Sequence, residues 1–451
     1  MFRKVLIANR GEIACRIART CRRLGIATVA VHSEADENAL HVRAADEAVP
    51  LGPAPVQQSY LNIDAIVAAV RRSGADAVHP GYGLLSESPS FARAVAGAGV
   101  TFVGPSPDAL ALLGDKVQAR RLAQSLGFEP PPGSSELAGG DLSEEAQRIG
   151  YPVLLKAAAG GGGIGMVRVA GPEELDRAVE QCRARATAAF GDDRIYVEKY
   201  LAQPRHIEVQ LLADMQGNIV VLGERECSVQ RRHQKVVEES PSPAAFIGGL
   251  WRAALFERAR RLLEAAKYVG AATVETVVDA QGQAYFLEVN ARLQVEHPVT
   301  ELCTGLDLVE WQLRIAAGES LGPEVRTAVS VGHAVEARLY AEDPQKGFIP
   351  QPGTLERLVL PEGEGIRVDA GVETGSEVTP YYDPLLAKIC AHAPTRAEAL
   401  LRLAQALRQT EVVLQGKLGP KNTNLSLLSR VLENVEFQAG AYDTGLLERM
   451  A

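Results

Sequence analysis

Residues 286–301 read Phe286-Leu287-Glu288-Val289-Asn290-Ala291-Arg292-Leu293-Gln294-Val295-Glu296-His297-Pro298-Val299-Thr300-Glu301. Apolar and small residues alternate with Glu288, Asn290, Arg292, Gln294 and Glu296. In an extended chain these polar side chains share one face. Glu288 and Asn290 offer oxygen ligands, Arg292 an anion fork and Glu296 a base. Pro298 is expected to end the extended run, and His297 to point away as a structural histidine. Just upstream, residues 271–278 and 284–290 read as two strands around the turn Asp279-Ala280-Gln281-Gly282. Glu275 on the first strand then faces the same site as Glu288. Two carboxylates there suit Mg²⁺, which prefers oxygen ligands and completes its shell with water and phosphates. The apolar neighbours Val274, Val277, Phe286 and Leu287 imply burial, where a carboxylate without a partner is costly.

Two more constellations lie further out. Lys156-Ala157-Ala158-Ala159-Gly160-Gly161-Gly162-Gly163-Ile164-Gly165-Met166 follows a strand expected over 151–157. Consecutive glycines let backbone N–H groups approach phosphate oxygens closely, and a lysine at the strand end adds charge. The spacing is neither a Walker A loop nor a dinucleotide fingerprint. A nucleotide-covering loop is the favoured reading; a hinge or hairpin is the bland one. Glu224-Arg225-Glu226-Cys227-Ser228-Val229-Gln230-Arg231-Arg232-His233-Gln234-Lys235, with Glu238 and Glu239, brackets cations with acids. That pattern favours a specific anion pocket over a nucleic-acid patch. The alternative is a solvated salt-bridge face.

The first hundred residues have a βαβ rhythm, with strands expected over 5–8, 26–31, 75–79 and 100–103 and helices over 11–24, 63–72 and 91–98. This predicts a parallel sheet covered by helices, with ligands beyond the carboxyl ends of its strands. Asn9-Arg10-Gly11-Glu12 and His79-Pro80-Gly81-Tyr82-Gly83 fall at such ends. Residues 128–140 are rich in Pro, Gly and Ser and read as a linker. Residues 131–203 are small enough to form a lid.

The chain has 451 residues, 46% hydrophobic and 23% charged, with 47 Lys+Arg against 56 Asp+Glu and a net charge of −9. This composition excludes disordered and fibrous classes and argues against general nucleic-acid or membrane-surface binding. No apolar run approaches the roughly 18–20 residues of a bilayer span. The N-terminus is not expected to be a signal peptide. Cysteines 15, 21, 182, 227, 303 and 390 show no zinc spacing and read as reduced thiols of a cytoplasmic protein.

In this order, these segments resemble the biotin carboxylase family of ATP-grasp enzymes. The resemblance covers essentially the whole chain. It is carried by Ile7-Ala8-Asn9-Arg10-Gly11-Glu12-Ile13-Ala14, His79-Pro80-Gly81-Tyr82-Gly83, Ser86-Glu87, Gly114-Asp115-Lys116, Arg205-His206-Ile207-Glu208, Gln230 to Lys235 and Arg292 to Glu301. It implies an α/β ATP-grasp architecture. The parts would be a doubly wound N-terminal domain (1–130), a mobile lid (131–203), a catalytic core (204–330) and a C-terminal domain (331–451). It implies that ATP phosphorylates bicarbonate, and that the resulting carboxyphosphate carboxylates biotin on a carrier protein.

By position, Lys116 and Lys156 would hold nucleotide phosphates under the loop of Gly160, Gly161, Gly162, Gly163, Gly165 and Met166. Glu198, Lys199, Leu201, His206 and Val277 would line the adenosine pocket, with Gln230 and His233 near the ribose. Glu275 and Glu288, with Asn290, would hold Mg²⁺ or Mn²⁺. Arg292, Gln294 and Val295 would bind bicarbonate beside Lys235. Glu296 would be the general base, Arg338 would steady the biotin enolate and Tyr82 would lie near the biotin ring. Phosphoryl transfer of this kind needs positioning, charge neutralisation and exclusion of water.

Three departures from the family pattern stand out. Ile164 follows the glycines where Arg is common, behind Ala157–Ala159. Thr276 follows Glu275 where an apolar residue is usual. Residues 415–422 look expanded. The four methionines are followed by Phe, Val, Gln and Ala, so no Met-Lys biotinylation motif is present. The carrier and a carboxyltransferase are therefore expected from elsewhere, as separate subunits or because this chain is a fragment of a longer one. Family members often form homodimers. The competing readings are another ATP-grasp ligase of carbamoyl-phosphate or purine type, disfavoured by Arg292–Glu296 with Arg338, and a weakly active structural paralogue suggested by Ile164. The final acceptor (an acyl-CoA, pyruvate or urea) is not written in this sequence.

Overall fold

The computed structural model describes residues 1–133, 142–158, 165–231 and 234–450. Five parallel strands open the chain: β1 (Lys4–Ile7), β2 (Ala27–Ser33), β3 (Glu47–Gly52), β4 (Ala77–His79) and β5 (Thr101–Phe102). Their order is β3-β2-β1-β4-β5, the doubly wound arrangement. The helix Gly11–Arg23 buries Ile13, Ile17 and Cys21 against the sheet. β3 was not expected. It is an edge strand whose exposed Glu47, Ala48 and Pro50 blur the apolar alternation. The turns after β1 and β4 are tied together, because the Asn9 side chain donates to the Pro80 and Tyr82 carbonyls at 2.7 and 2.8 Å. Gly81 permits this. Its φ is +63°, and a Cβ there would lie 2.8 Å from Asn9 Nδ2.

A small antiparallel sheet follows: β6 (Val153–Ala157), β7 (Val167–Val169) and β8 (Ile195–Lys199), ordered β7-β6-β8. Val153, Leu155 and Val197 face the helix Leu175–Phe190 through Leu175, Ala178 and Cys182. Alternation then sends Lys156, Tyr196 and Glu198 to the other face. The supposed linker is anchored at its start. Phe128 is buried and packs edge-on against Phe286, with ring centroids 5.6 Å apart. Residues 134–140 of it lie outside the described residues.

The largest sheet has eight antiparallel strands. Six are β9 (Arg205–Ala213), β10 (Ile219–Arg231), β11 (Gln234–Ser240), β12 (Gly270–Val278), β13 (Ala284–Asn290) and β14 (His333–Tyr340); Leu385–Ala393 and Ile366–Ala370 complete it. The order is β13-β12-β9-β10-β11-β14, then Leu385–Ala393, then Ile366–Ala370. The expected boundary at 330/331 therefore runs through one continuous sheet, because β14 pairs with β11 on one side and with Leu385–Ala393 on the other. The expanded stretch after 414 forms a hairpin, with Glu411–Gly416 against Gly419–Lys421 and Leu418 98% exposed at its tip. No helix among the described residues is long and apolar enough to cross a membrane.

Candidate active site

The centre of the site is the Lys235 ammonium on β11. Its Nζ donates to Glu208 at 2.6 Å, Glu275 at 2.8 Å and Glu296 at 2.5 Å. Arg225 on β10 lies behind it, fully buried. Its guanidinium donates to Glu208 (2.6 Å), Gln210 (2.7 Å), Thr300 (2.9 Å) and Thr273 (3.0 Å). A buried guanidinium with this many partners is a fixed positive wall. Residues 224–230 of the segment 224–235 are thus a buried stretch of β10 and not a solvated face. The sequence reading assigned no role to Glu208 or Arg225; polar residues recurring along β9 and β10 were the available signal.

Glu296 is clamped on both oxygens. Oε1 accepts from Lys235, and Oε2 accepts from Arg338 Nη2 at 2.9 Å. Burial alone would raise its pKa, but Lys235, Arg338 and Arg225 together hold the carboxyl well below the usual carboxylate range. It is therefore an anion at neutral pH, as a proton acceptor must be.

The route by which Glu296 reaches the site corrects the expectation. β13 ends at Asn290, residues 291–296 form turns, and Pro298 stands in the first turn of the helix His297–Thr304. Strand alternation therefore does not extend to Gln294 and Glu296. Two distant side chains shape the turn instead. Glu87 receives the Ala291 N–H and Arg292 Nε, both at 2.9 Å. Lys388 Nζ donates to the Val295 carbonyl at 2.8 Å. Arg292 also donates to Asn290 (2.8 Å) and Gln294 (3.0 Å), so its fork is aimed by its neighbours. His297 is buried with Nδ1 2.7 Å from the Gln294 carbonyl, in the structural role expected of it.

Glu275 and Glu288 stand opposite each other in the β12–β13 register. Asn290 Nδ2 donates to Glu275 at 2.8 Å, and Lys116 Nζ lies 3.4 Å from Glu288. Two carboxylates and an amide oxygen form an all-oxygen donor set, which fits Mg²⁺ or Mn²⁺. His206 Nε2 is 3.1 Å from Glu275, and Val277 is the cross-strand partner of His206. Lys156 on β6 pairs with Glu198 on β8, which also pairs with Arg120. Burial and the cations Lys116 and Arg120 push the Lys156 ammonium down to about 7, while the Glu288 carboxylate pulls the other way. Lys199 Nζ turns to the Gly150 and Tyr151 carbonyls, Leu201 follows it half-buried, and Gln230 donates to the Cys227 carbonyl. Gly165 takes a φ of +76°, and its carbonyl accepts from Cys182 Sγ; Met166 follows it into β7. Gly160, Gly161, Gly162, Gly163, Ile164 and His233 lie outside the described residues. Between β8 and β13, a cavity of about 400 Å³ is lined by Lys116, Arg120, Glu129, Tyr196 and Tyr285. Tyr82 donates to Glu12, which also receives Lys388 at 3.1 Å.

Three family models match along the chain: "Biotin carboxylase, N-terminal domain" over 1–110, "Carbamoyl-phosphate synthase L chain, ATP binding domain" over 115–324, and "Biotin carboxylase C-terminal domain" over 336–449. A biotin carboxylase of Halalkalibacterium halodurans is 51% identical over 450 residues, spanning 99% of this chain and 97% of that protein. The chain belongs to the biotin carboxylase family. The middle match alone would have suited a carbamoyl-phosphate synthase; the flanking matches exclude that reading. Among solved biotin carboxylases, the β,γ-ATP complex from Campylobacter jejuni has a TM-score of 0.94 at 40% identity, covering 100% of this chain and 99% of that one. The biotin carboxylase domain dimer of Hydrogenobacter thermophilus 2-oxoglutarate carboxylase, in complex with MgADP, ADP and bicarbonate, has a TM-score of 0.93 at 42% identity, covering 100% and 98%.

Proposed function

We propose that this enzyme uses ATP to carboxylate biotin on a carrier protein, with bicarbonate as the carboxyl source and carboxyphosphate as the intermediate. The carrying observation is the Glu296 carboxylate, held ionised between Lys235 and Arg338 beside the aimed fork of Arg292. Bicarbonate sits against Arg292, Gln294 and the Val295 backbone. Glu296 takes the bicarbonate proton, so the oxygen that attacks the γ-phosphorus carries full negative charge. Lys116 and Lys156 meet the nucleotide phosphates, and His206, Val277, Glu198, Lys199 and Leu201 border the nucleoside. Mg²⁺ or Mn²⁺ held by Glu275, Glu288 and Asn290 would neutralise phosphate charge when bound. Arg338, already facing anions, receives the charge that develops on the ureido oxygen of biotin. Tyr82 borders the biotin ring.

The same reading places the enzyme in the cytoplasm, as a homodimer working with a biotin carboxyl carrier and a carboxyltransferase. The test is bicarbonate-dependent ATP hydrolysis with and without free biotin. Biotin stimulation is expected in the wild type and absent in Glu296→Ala, with ATP binding retained. A Glu296→Ala enzyme that still responds to biotin would remove Glu296 from the base role.

A further inference from the structure

Behind Arg338 lies a second pair of carboxylates that the reaction above does not use. Glu238 on β11 and Glu336 on β14 are direct cross-strand partners, both fully buried. Side chains opposite each other in an antiparallel pair stand about 5 Å apart at Cβ, and like charges there repel. Neither oxygen of Glu238 receives an aligned hydrogen bond, and Glu336 Oε1 receives none; Cys390 Sγ lies 3.3 Å from Glu336 Oε2. Two buried carboxylates so placed do not both ionise readily; they titrate as a pair. Around them, Arg338 on β14, Lys235 on β11, Glu296 at the head of its helix, Lys388 and Cys390 on the neighbouring strand and Cys227 on β10 are the titratable and charged groups facing the pair.

One atom joins this pair to the chemistry. Arg338 Nη2 is 2.5 Å from Glu238 Oε1 and 2.9 Å from Glu296 Oε2. The same guanidinium nitrogen therefore bridges the base and the hidden carboxylate. Burial and the neighbouring Glu296 raise Glu238 to about 7, against the pull of Arg338 and Lys235. Burial and Glu238 likewise raise Glu336 to about 8.

Resting on the proposed roles of Arg338 and Glu296, we propose that Glu238 is a positioning residue for Arg338, and that Glu238 and Glu336 share one proton which sets how firmly Arg338 is held away from biotin. With the proton on the pair, the guanidinium is free to serve Glu296 and the biotin oxygen. Without it, Glu238 competes for the same nitrogen. The effect reaches the two groups that Arg338 serves, Glu296 and the biotin oxygen, and leaves ATP binding alone.

The test compares the pH dependence of kcat/KM for free biotin in wild type, Glu238→Gln and Glu336→Gln, with KM for ATP measured alongside. Both substitutions keep side-chain shape and remove one titrating group. The wild type is expected to lose biotin efficiency through an ionisation in the neutral range. Glu336→Gln relieves the repulsion on Glu238 and should move that ionisation to lower pH. Glu238→Gln should abolish it and change kcat/KM for biotin on the order of tenfold at pH 7, with KM for ATP unchanged. Superimposable profiles for the three enzymes would overturn the proposal, as would losses that strike KM for ATP equally. Arg338→Gln is measured beside them. An intact biotin response there would overturn the role of Arg338 itself. A biotin response that needs Arg338 but ignores Glu238 would overturn only the shared-proton arrangement.

Discussion

Replacing Lys235 by methionine removes one positive charge from the meeting point of three buried carboxylates and keeps most of the side-chain volume. Lys235 Nζ lies 2.5 Å from Glu296, 2.6 Å from Glu208 and 2.8 Å from Glu275. With charge centres about 4 Å apart and an effective dielectric of about 20, one such pair is worth about 4 kcal/mol. At about 1.4 kcal/mol per unit, that is about 3 pK units on a single carboxylate. The loss is shared among three acids, and Arg338 continues to hold Glu296, so a rise of about 2 units is expected for Glu296. The sign follows from the direction of the native shift. Glu296 is held below its ordinary value, so it is ionised down to acidic pH in the wild type and protonates earlier in Lys235→Met. The assay is infrared titration of the buried carboxyl groups, with Glu296→Gln identifying the Glu296 band. The band should stay ionised over the whole folded range in the wild type and begin to protonate at its acid end in Lys235→Met. A band that stays fully ionised in both proteins while biotin-stimulated turnover falls would refute the electrostatic account and leave Lys235 as a bicarbonate contact alone.

Other substitutions probe the supports of the site. Lys388→Met leaves buried Glu12 without its cation and the Val295 carbonyl without its donor; it should destabilise the protein by about 3–5 kcal/mol in urea unfolding, with Glu12→Gln in the same chain restoring much of the loss. Glu87→Gln weakens the grip on Arg292 and should raise KM for bicarbonate about tenfold with KM for ATP unchanged. Gly81→Ala forces a side chain into a φ of +63° and against Asn9, which should cost about 1–2 kcal/mol and be read as a lowered thermal midpoint. Acid unfolding should follow the depressed carboxylates. Stability contributed by Glu239, held down to about 2 by His333 and Arg396 against its burial, is present above the ordinary Glu value and is lost as pH falls towards 2; Arg396→Met should raise the pH of the acid midpoint.

The readable parts of the sequence were those with local periodicity. Residues 271–278 and 284–290 alternate around a polar turn, and they form the β12–β13 hairpin with Glu275 opposite Glu288. The parallel N-terminal strands were visible for the same reason, except β3, whose exposed edge dilutes the pattern. The turn at 291–296 looked like more strand because polar residues at alternate positions are also what a turn aimed at a polar site contains. Its shape is set by Glu87 and Lys388, far away in sequence, and no local pattern encodes such contacts. Lys388 did leave a trace: it is the one lysine in the mostly apolar strand Leu385–Ala393. Glu208 and Arg225 were hidden differently, since a buried charge is legible only once its partner is known.

The continuous sheet also fixes an order of events during synthesis. Glu296 emerges from the ribosome well before the strand that completes its surroundings, since Lys388 lies 93 residues beyond the Val295 carbonyl it holds. Until that strand pairs with β14, Arg338 and its neighbours lack a wall, and a row of unpaired backbone groups stands exposed. The strands β9 to β13 can pair earlier. On the roles proposed above, a nascent chain completes the contacts assigned to the nucleotide before the surroundings of Glu296. Released fragments that stop short of residue 385 are expected to be sticky and inert, even though every residue of the 286–301 stretch is present in them.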